Sequence, residues 1–388
     1  MRIAVVTETF YPFIGGSSKR YLEVFSRIVE MGYSVHVYTV RLKPSWPEEE
    51  TIRGIRVSRL ALPWRGFITS DGFRSVWDVL KFTTEIILEL MNDGDYDVIE
   101  ANHCPIIPTW GSKLISLAKK VPLSVTFHEV WHSHWYYYVP YRILAPMGII
   151  LEKTLKHVPD VAVAVSRMTG ERLNRYLGIE WDRIRIISNG VDLELYNGTN
   201  VDKDRYKIVY VGRLLPHKRV EMLLQAFKIV KEKVPEAKLE IIGDGPLRPK
   251  LERYSRTLNL RDVVFTGAID DEKLAVSLKA AGIYVLPSMR EGQSITTLEA
   301  MAAGTPQIVT DFVSNAAVEL VKESGSGIVV RSSPRDLAEA IMKLMSSDEL
   351  WTRLRDNGLR YVVNFTWERA AKEHLDVYQE LIERRLKA

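Results

Sequence analysis

A single cysteine, Cys104, among 388 residues excludes an internal disulfide framework and suits a reducing compartment. No stretch reaches the ~18 unbroken apolar residues that a membrane span needs. The start, MRIAVVTETFYP, turns polar too soon for a secretory signal and reads as a first strand. Charge of one sign is also scarce: 53 Lys and Arg against 49 Asp and Glu leave a net +4, which implies no nucleic-acid partner. Nor is the first strand followed by three spaced glycines, so the dinucleotide fingerprint of a nicotinamide or flavin enzyme is missing. The expectation is a cytoplasmic protein.

What is present is a long chain with 46% hydrophobic residues, enough for two domains with full cores. Arg2 to Thr7 and Ser34 to Val40 read as buried strands. Between them lie a loop with Pro12, Gly15 and Gly16 and an amphipathic segment from about Ser17 to Met31. Strand, glycine loop, helix, strand is a mononucleotide-binding half. Further strands are expected at Asp97 to Ala101, Pro122 to Phe127 and Val161 to Val165. Ser166 and Gly178 then bracket a helix. Leu195 to Arg205 loses apolar periodicity and reads as a linker. Past it the opening pattern recurs: strand Lys207 to Val211, loop GRLLPHKR, helix Val220 to Val234, strand Lys238 to Ile242. The fold class is therefore α/β, with two Rossmann-like domains.

The most informative stretch is Ser288 to Pro306, SMREGQSITTLEAMAAGTP. It follows the apolar run Ile283 to Leu286, Ser294 can cap a helix, Gly304 suits its left-handed end, and Pro306 stops it. Strand, loop, helix places Glu291 in the loop and Glu299 in the helix, serving different atoms of one ligand. The amides of Gln293, Ser294, Ile295 and Thr296 would then form an anion seat at the helix N-terminus. In the second half, Arg213 and Lys218 stand just past a parallel strand, where open α/β sheets bind ligands. A guanidinium and an ammonium there suit a diphosphate. After the strand ending at Phe127 comes HEVWHSHWYYYVPY. It offers His128 at the strand's carboxyl end and an aromatic set, Trp131, Trp135, Tyr136, Tyr137, Tyr138 and Tyr141. A sugar-stacking wall, a patch toward a lipid-linked acceptor and a packed lid are all open for that set. The apolar segment Ile143 to His157, with Lys153 and Lys156 late in it, is open to two readings, a basic membrane-facing helix or a packing helix.

These motifs resemble those of the retaining glycosyltransferases of family 4, with the GT-B fold: two glutamates with seven residues between them, then an Ala-rich helix ending in Gly and Pro. The resemblance implies two domains facing across a cleft, the first over 1–198 on the acceptor side with a returning tail 366–388, the second over 199–365 binding the donor. It implies a hexosyltransferase using a UDP-, GDP- or ADP-sugar on a glycan or lipid-linked acceptor, with retention and no metal or other cofactor required. Carried over, Glu291 approaches the transferring sugar, Glu299 holds the ribose, Arg213 and Lys218 hold the diphosphate, His128 contacts the donor sugar, Gly16 approaches the diphosphate and Ile269 lies near the base. Trp131, Trp135 and Tyr136 are acceptor candidates. The family usually has an aromatic residue and a glycine where this chain has Gln293 and Ser294, and a glycine where it has Arg219. Rival readings are a nucleotide-sugar epimerase or phosphorylase on the same fold, or a non-catalytic sugar-nucleotide binder. The implied setting is polysaccharide or glycolipid synthesis in the cytoplasm or at the inner membrane face.

Overall fold

A computed structural model describes residues 1–62, 75–138 and 142–387. Tyr141 lies outside them, and the side chain of Tyr138 is likewise not described. The chain forms two compact units, 1–188 with 367–388, and 189–366.

The first unit is built on strands β1 (Arg2–Val6), β2 (Ser34–Val40), β3 (Glu49–Ile52), β4 (Ile55–Leu60), β5 (Val98–Asn102), β6 (Leu123–Phe127), β7 (Val161–Ala164) and β8 (Ile184–Ile186). Their order is β3-β4-β2-β1-β5-β6-β7-β8, parallel throughout except for the β3–β4 hairpin at one edge. Strands buried on both faces need continuous apolar runs, and Ile3, Val5, Leu123, Val125, Val161 and Val163 supply them. The hairpin has no counterpart in the sequence reading. Its turn, Arg53–Gly54, holds both residues at positive φ (47° and 79°), as a two-residue turn requires.

The last helix, Trp367–Leu386, belongs to this first unit. A buried polar chain ties it there. Arg20 Nη2 donates to the carbonyl of Ile187 at 2.9 Å and lies 3.0 Å from Nε2 of His374. Since a guanidinium can only donate, Nε2 accepts and the His374 proton sits on Nδ1, 3.1 Å from the Tyr378 hydroxyl. That hydroxyl donates to Glu100 Oε2 at 3.2 Å, and Thr126 donates to the other carboxylate oxygen at 2.5 Å. Burial pulls the Arg20 pKa down to about 10 and holds His374 neutral, well below its usual value.

In the second unit, β9 (Asp204–Val211), β10 (Lys238–Ile242), β11 (Val263–Gly267), β12 (Ala281–Leu286), β14 (Gln307–Thr310) and β16 (Gly327–Val330) form a parallel sheet ordered β11-β10-β9-β12-β14-β16. Two short segments, β13 (Arg290–Glu291) and β15 (Ser314–Asn315), pair beside it. The expected linker over 195–205 is corrected: Leu193–Gly198 is a helix capped by Asp192, and β9 already begins at Asp204. Tyr196 is buried and Leu193 and Leu195 pack on the core, so a short apolar cluster outweighs the polar residues after it. The division between units lies at Ser188/Asn189, ahead of the expected boundary after residue 198.

Candidate functional site

The sheet order of the second unit fixes where a ligand can sit. From β9 the chain goes to β10 and β11 on one side, then crosses to β12, β14 and β16 on the other. Loops leaving the carboxyl ends of β9 and β12 therefore diverge, and the crevice opened at such a switch point is where open α/β sheets bind ligands. The β9 loop carries Arg213 and Lys218, and the β12 loop carries Glu291, Gln293 and Ser294 and runs into the helix that opens with Ile295 and Thr296.

The two loops touch. The amide of Met289 donates to the carbonyl of His217 at 2.8 Å, and Lys218 Nζ lies 2.6 Å from Glu291 Oε1. Both side chains are largely buried, 17% and 12% exposed, so this is a shielded ion pair and not a surface one. Arg213 stands exposed on the same β9 loop, with its carbonyl accepting from the Tyr210 hydroxyl at 3.2 Å. On the other flank of β9, the turn after β10 packs backbone to backbone on this loop. Gly243 has φ +125°, and an added Cβ would fall 2.1 Å from the carbonyl oxygen of Gly212, so only glycine lets the turns meet. The GDGP sequence after β10 was the signal for this contact, and its role was missed.

Past Glu291, Ser294 caps the Ile295–Ala302 helix, its Oγ accepting from the amide of Thr297 at 3.2 Å. That Oγ also lies 3.0 Å from Thr296 Oγ1, which meets the Tyr284 hydroxyl at 2.6 Å. The Ser294 side chain is thus turned into the protein, and what it leaves toward the crevice is backbone. In the first turn the amides of Ile295 and Thr296 have no intrahelical carbonyl to bond. The Gln293 side chain turns to its neighbour in the same unit: its Oε1 accepts from the amide of Asn189, while Asn189 Nδ2 approaches the Gln293 carbonyl at 3.4 Å. The side chain fixes the loop to the SNGVD turn, leaving the main chain of Gln293 for a ligand. Glu299 is buried on the same helix, close enough to Tyr196 to push that phenol's pKa up, after burial itself. Ile269 is half-buried against the core beside the β11 turn.

In the first unit the switch point lies between β1 and β5. Gly16 opens the Gly16–Glu30 helix that follows β1, with Gly15 as its extended cap residue. His128 follows β6. Its amide donates to Nδ1 of His103 at 3.4 Å, its ring stands edge-on to Tyr21 at 5.8 Å, and among the described residues its Nε2 has no hydrogen-bond partner. Burial, with His103 and Arg20 nearby, holds its pKa well below the usual value, so the ring is neutral. Trp131 and Trp135 lie 4.9 Å apart, centroid to centroid. Trp135 is committed to packing: a Cβ on Gly148 would fall 2.4 Å from its ring. Tyr136 is exposed.

Residues 14–195 match the family described as Glycosyltransferase Family 4, and residues 194–361 match Glycosyl transferases group 1. An uncharacterized glycosyltransferase of Methanocaldococcus jannaschii is 27% identical over 411 residues, covering 99% of each chain. Among solved structures, the sucrose-phosphate synthase of Thermosynechococcus elongatus superposes with a TM-score of 0.84 at 23% identity, again over 99% of each chain. HepE of Anabaena, solved with UDP and glucose, gives 0.75 at 16% identity over 98% of this chain and all of its own. The fold is that of the GT-B enzymes.

Proposed function

The chain belongs to the group 1 and family 4 glycosyltransferases, and from that premise we propose that it is a retaining enzyme moving a hexosyl group from a nucleoside diphosphate sugar to an acceptor hydroxyl. The observation that carries this reading is the Lys218–Glu291 pair at the switch point of the second unit. A cation and an acid from two diverging loops meet where the diphosphate and the sugar of one donor would lie next to each other.

Departure of the nucleoside diphosphate develops negative charge on the oxygen that leaves the sugar. Lys218, turning from Glu291, together with Arg213 and the first-turn amides of the Ile295–Ala302 helix, would offset that charge. Glu291 would then face the sugar, where a carboxylate stabilises an oxocarbenium-like centre, and Glu299 would take the ribose hydroxyls. The acceptor proton would pass to the departing phosphate on the same face, giving retention. The cationic work falls to side chains and amides, so the scheme requires no metal. HepE binds UDP and glucose, which supports a nucleotide-sugar donor here. Gly16 would approach the diphosphate, His128 the transferring sugar, and Trp131 and Tyr136 the acceptor, a glycan or lipid-linked hydroxyl.

The test is a thermal-shift screen of UDP-, GDP- and ADP-sugars, followed by transfer from the stabilising donor with the anomeric coupling of the product read by NMR. A ligand that prefers the native form raises the midpoint. The reading expects one base to dominate and the donor's anomeric configuration to be kept. An inverted product would remove retention, and no response to any donor would remove the nucleotide-sugar assignment.

A further inference from the structure

The Ala145–Thr154 helix is built inside out. Its inward face consists of Ala145, Gly148 and Glu152, continued by Leu155. The buried acid is fully employed: Oε1 accepts from the amide of Trp131 at 2.7 Å, and Oε2 accepts from the amide of His132 at 2.7 Å and from Trp135 Nε1 at 3.1 Å. The outward face is apolar. On the helix Met147 is 67% exposed and Ile150 64%, and Leu151 joins them, at spacings of three and four residues that line one side; Ile143, 84% exposed, extends the patch from the Arg142–Leu144 turn just ahead. An ordinary surface helix hides such a stripe and shows its acid.

We propose that this face docks onto the surface of an anionic lipid bilayer. Charge chooses the occupant. Between residues 142 and 157 the exposed charged side chains are Arg142, Lys153 and Lys156, and the one acid of the span, Glu152, is inside. An apolar stripe rimmed by cations suits a layer of acyl chains under anionic headgroups. It does not suit a second copy of the same face, since a two-fold contact would set the cationic rims against each other. The stripe spans about two helical turns, roughly 12 Å, which is far short of a bilayer and fits a helix lying in the interface. Through Glu152 the opposite side of the same helix holds the backbone of Trp131 and His132, so the docked face and the acceptor-side loop form one body. Resting on the transferase reading above, this favours a lipid-linked acceptor presented at the bilayer.

The experiment is co-sedimentation of the full chain with vesicles of phosphatidylcholine alone or mixed with phosphatidylglycerol, at low and high salt. The parent is expected to pellet with the mixed vesicles and to be released by salt. Replacing Arg142, Lys153 and Lys156 together by Gln should weaken partition on the order of 100-fold, and Ile143→Ser with Ile150→Ser by about tenfold or more. Both variants should keep the parent's melting temperature and nucleotide affinity. The inference is overturned if the parent stays in the supernatant with both vesicle types, or if the variants pellet as well as the parent does. It is equally overturned if sedimentation velocity shows a dimer that the isoleucine variant dissolves while vesicles go unbound. Pelleting reads no sugar transfer, so its failure and the failure of the reaction proposed above are separate results.

Discussion

Replacing either member of the Lys218–Glu291 pair should move nucleotide affinity in opposite directions. The ammonium lies 2.6 Å from the carboxylate. A phosphate oxygen taking the same ammonium at about 2.8 Å would sit about 5 Å from Glu291. At an effective dielectric of about 20, two unit charges at that distance repel by about 3 kcal/mol. Glu291→Gln keeps the shape, removes the repulsion and frees Lys218 from its competitor, so UDP-type nucleotides should bind more tightly, by about tenfold after screening. Turnover should fall all the same, because the group facing the sugar has lost its charge. Lys218→Ala removes a charge-assisted contact and leaves Glu291 without its cation near the phosphates. Affinity should drop about 30-fold or more, and kcat by about 10²–10³. Calorimetric titration of the parent, both single variants and the double variant with a nucleoside diphosphate measures both effects. Equal weakening by Glu291→Gln and Lys218→Ala would refute the reasoning and leave the pair as a structural ion pair that happens to border the crevice.

Three further outcomes are expected. Glu299→Gln should weaken nucleoside diphosphate binding about tenfold or more while leaving inorganic pyrophosphate affinity unchanged, as competition titrations would show if the carboxylate serves the ribose. Gly243→Ala must move a Cβ away from a carbonyl oxygen 2.1 Å distant and strain a φ of +125°; denaturant unfolding should register a loss of about 2–4 kcal/mol. His36, buried with Tyr96 on Nδ1 at 2.9 Å and Ser58 on Nε2 at 2.6 Å, has its pKa lowered from 6.5 to about 4 by burial and then by Arg56, against the pull of Asp93 and Glu49. The native state therefore holds fewer protons there than the unfolded chain. Its contribution is complete above pH 6.5 and is lost as the pH falls toward 4, with a slope approaching 1.4 kcal/mol per unit. Urea titrations of His36→Gln across that window should show a slope flatter by one proton's worth.

Where local chemistry dictates local structure, the sequence was transparent. Ser294 caps its helix, Gly304 ends it with φ +61°, and β2 and β10 occupy the expected residues. The Lys218–Glu291 contact joins residues 73 apart; their roles followed from motif resemblance, but their meeting depends on strand order, which no local window contains. The 193–198 helix was lost because one turn of Leu193, Leu195 and Tyr196 is too short to show a period. Gln293 shows the same limit. Its place in the motif concerned its backbone amide, and no local pattern announced that its side chain closes on Asn189, 104 residues away. The 145–154 segment carried apolar residues at helical spacing, and spacing alone does not say which stripe goes inward when the small residues Ala145 and Gly148 make up the other.

The return of the last helix to the first unit reverses the usual order of assembly at the ribosome, where domains generally fold as units, the earlier one first. Residues 189–366 have every strand they require once they emerge from the exit tunnel. The opening 188 residues hold all eight of their strands but not their last helix: Arg20 and Glu100 lack His374 and Tyr378 until the twenty residues of Trp367–Leu386 have been translated. The part made first is thus finished last, and a premature stop just before codon 367 would leave Arg20 without the His374 ring nitrogen that accepts from it and Glu100 without the Tyr378 hydroxyl.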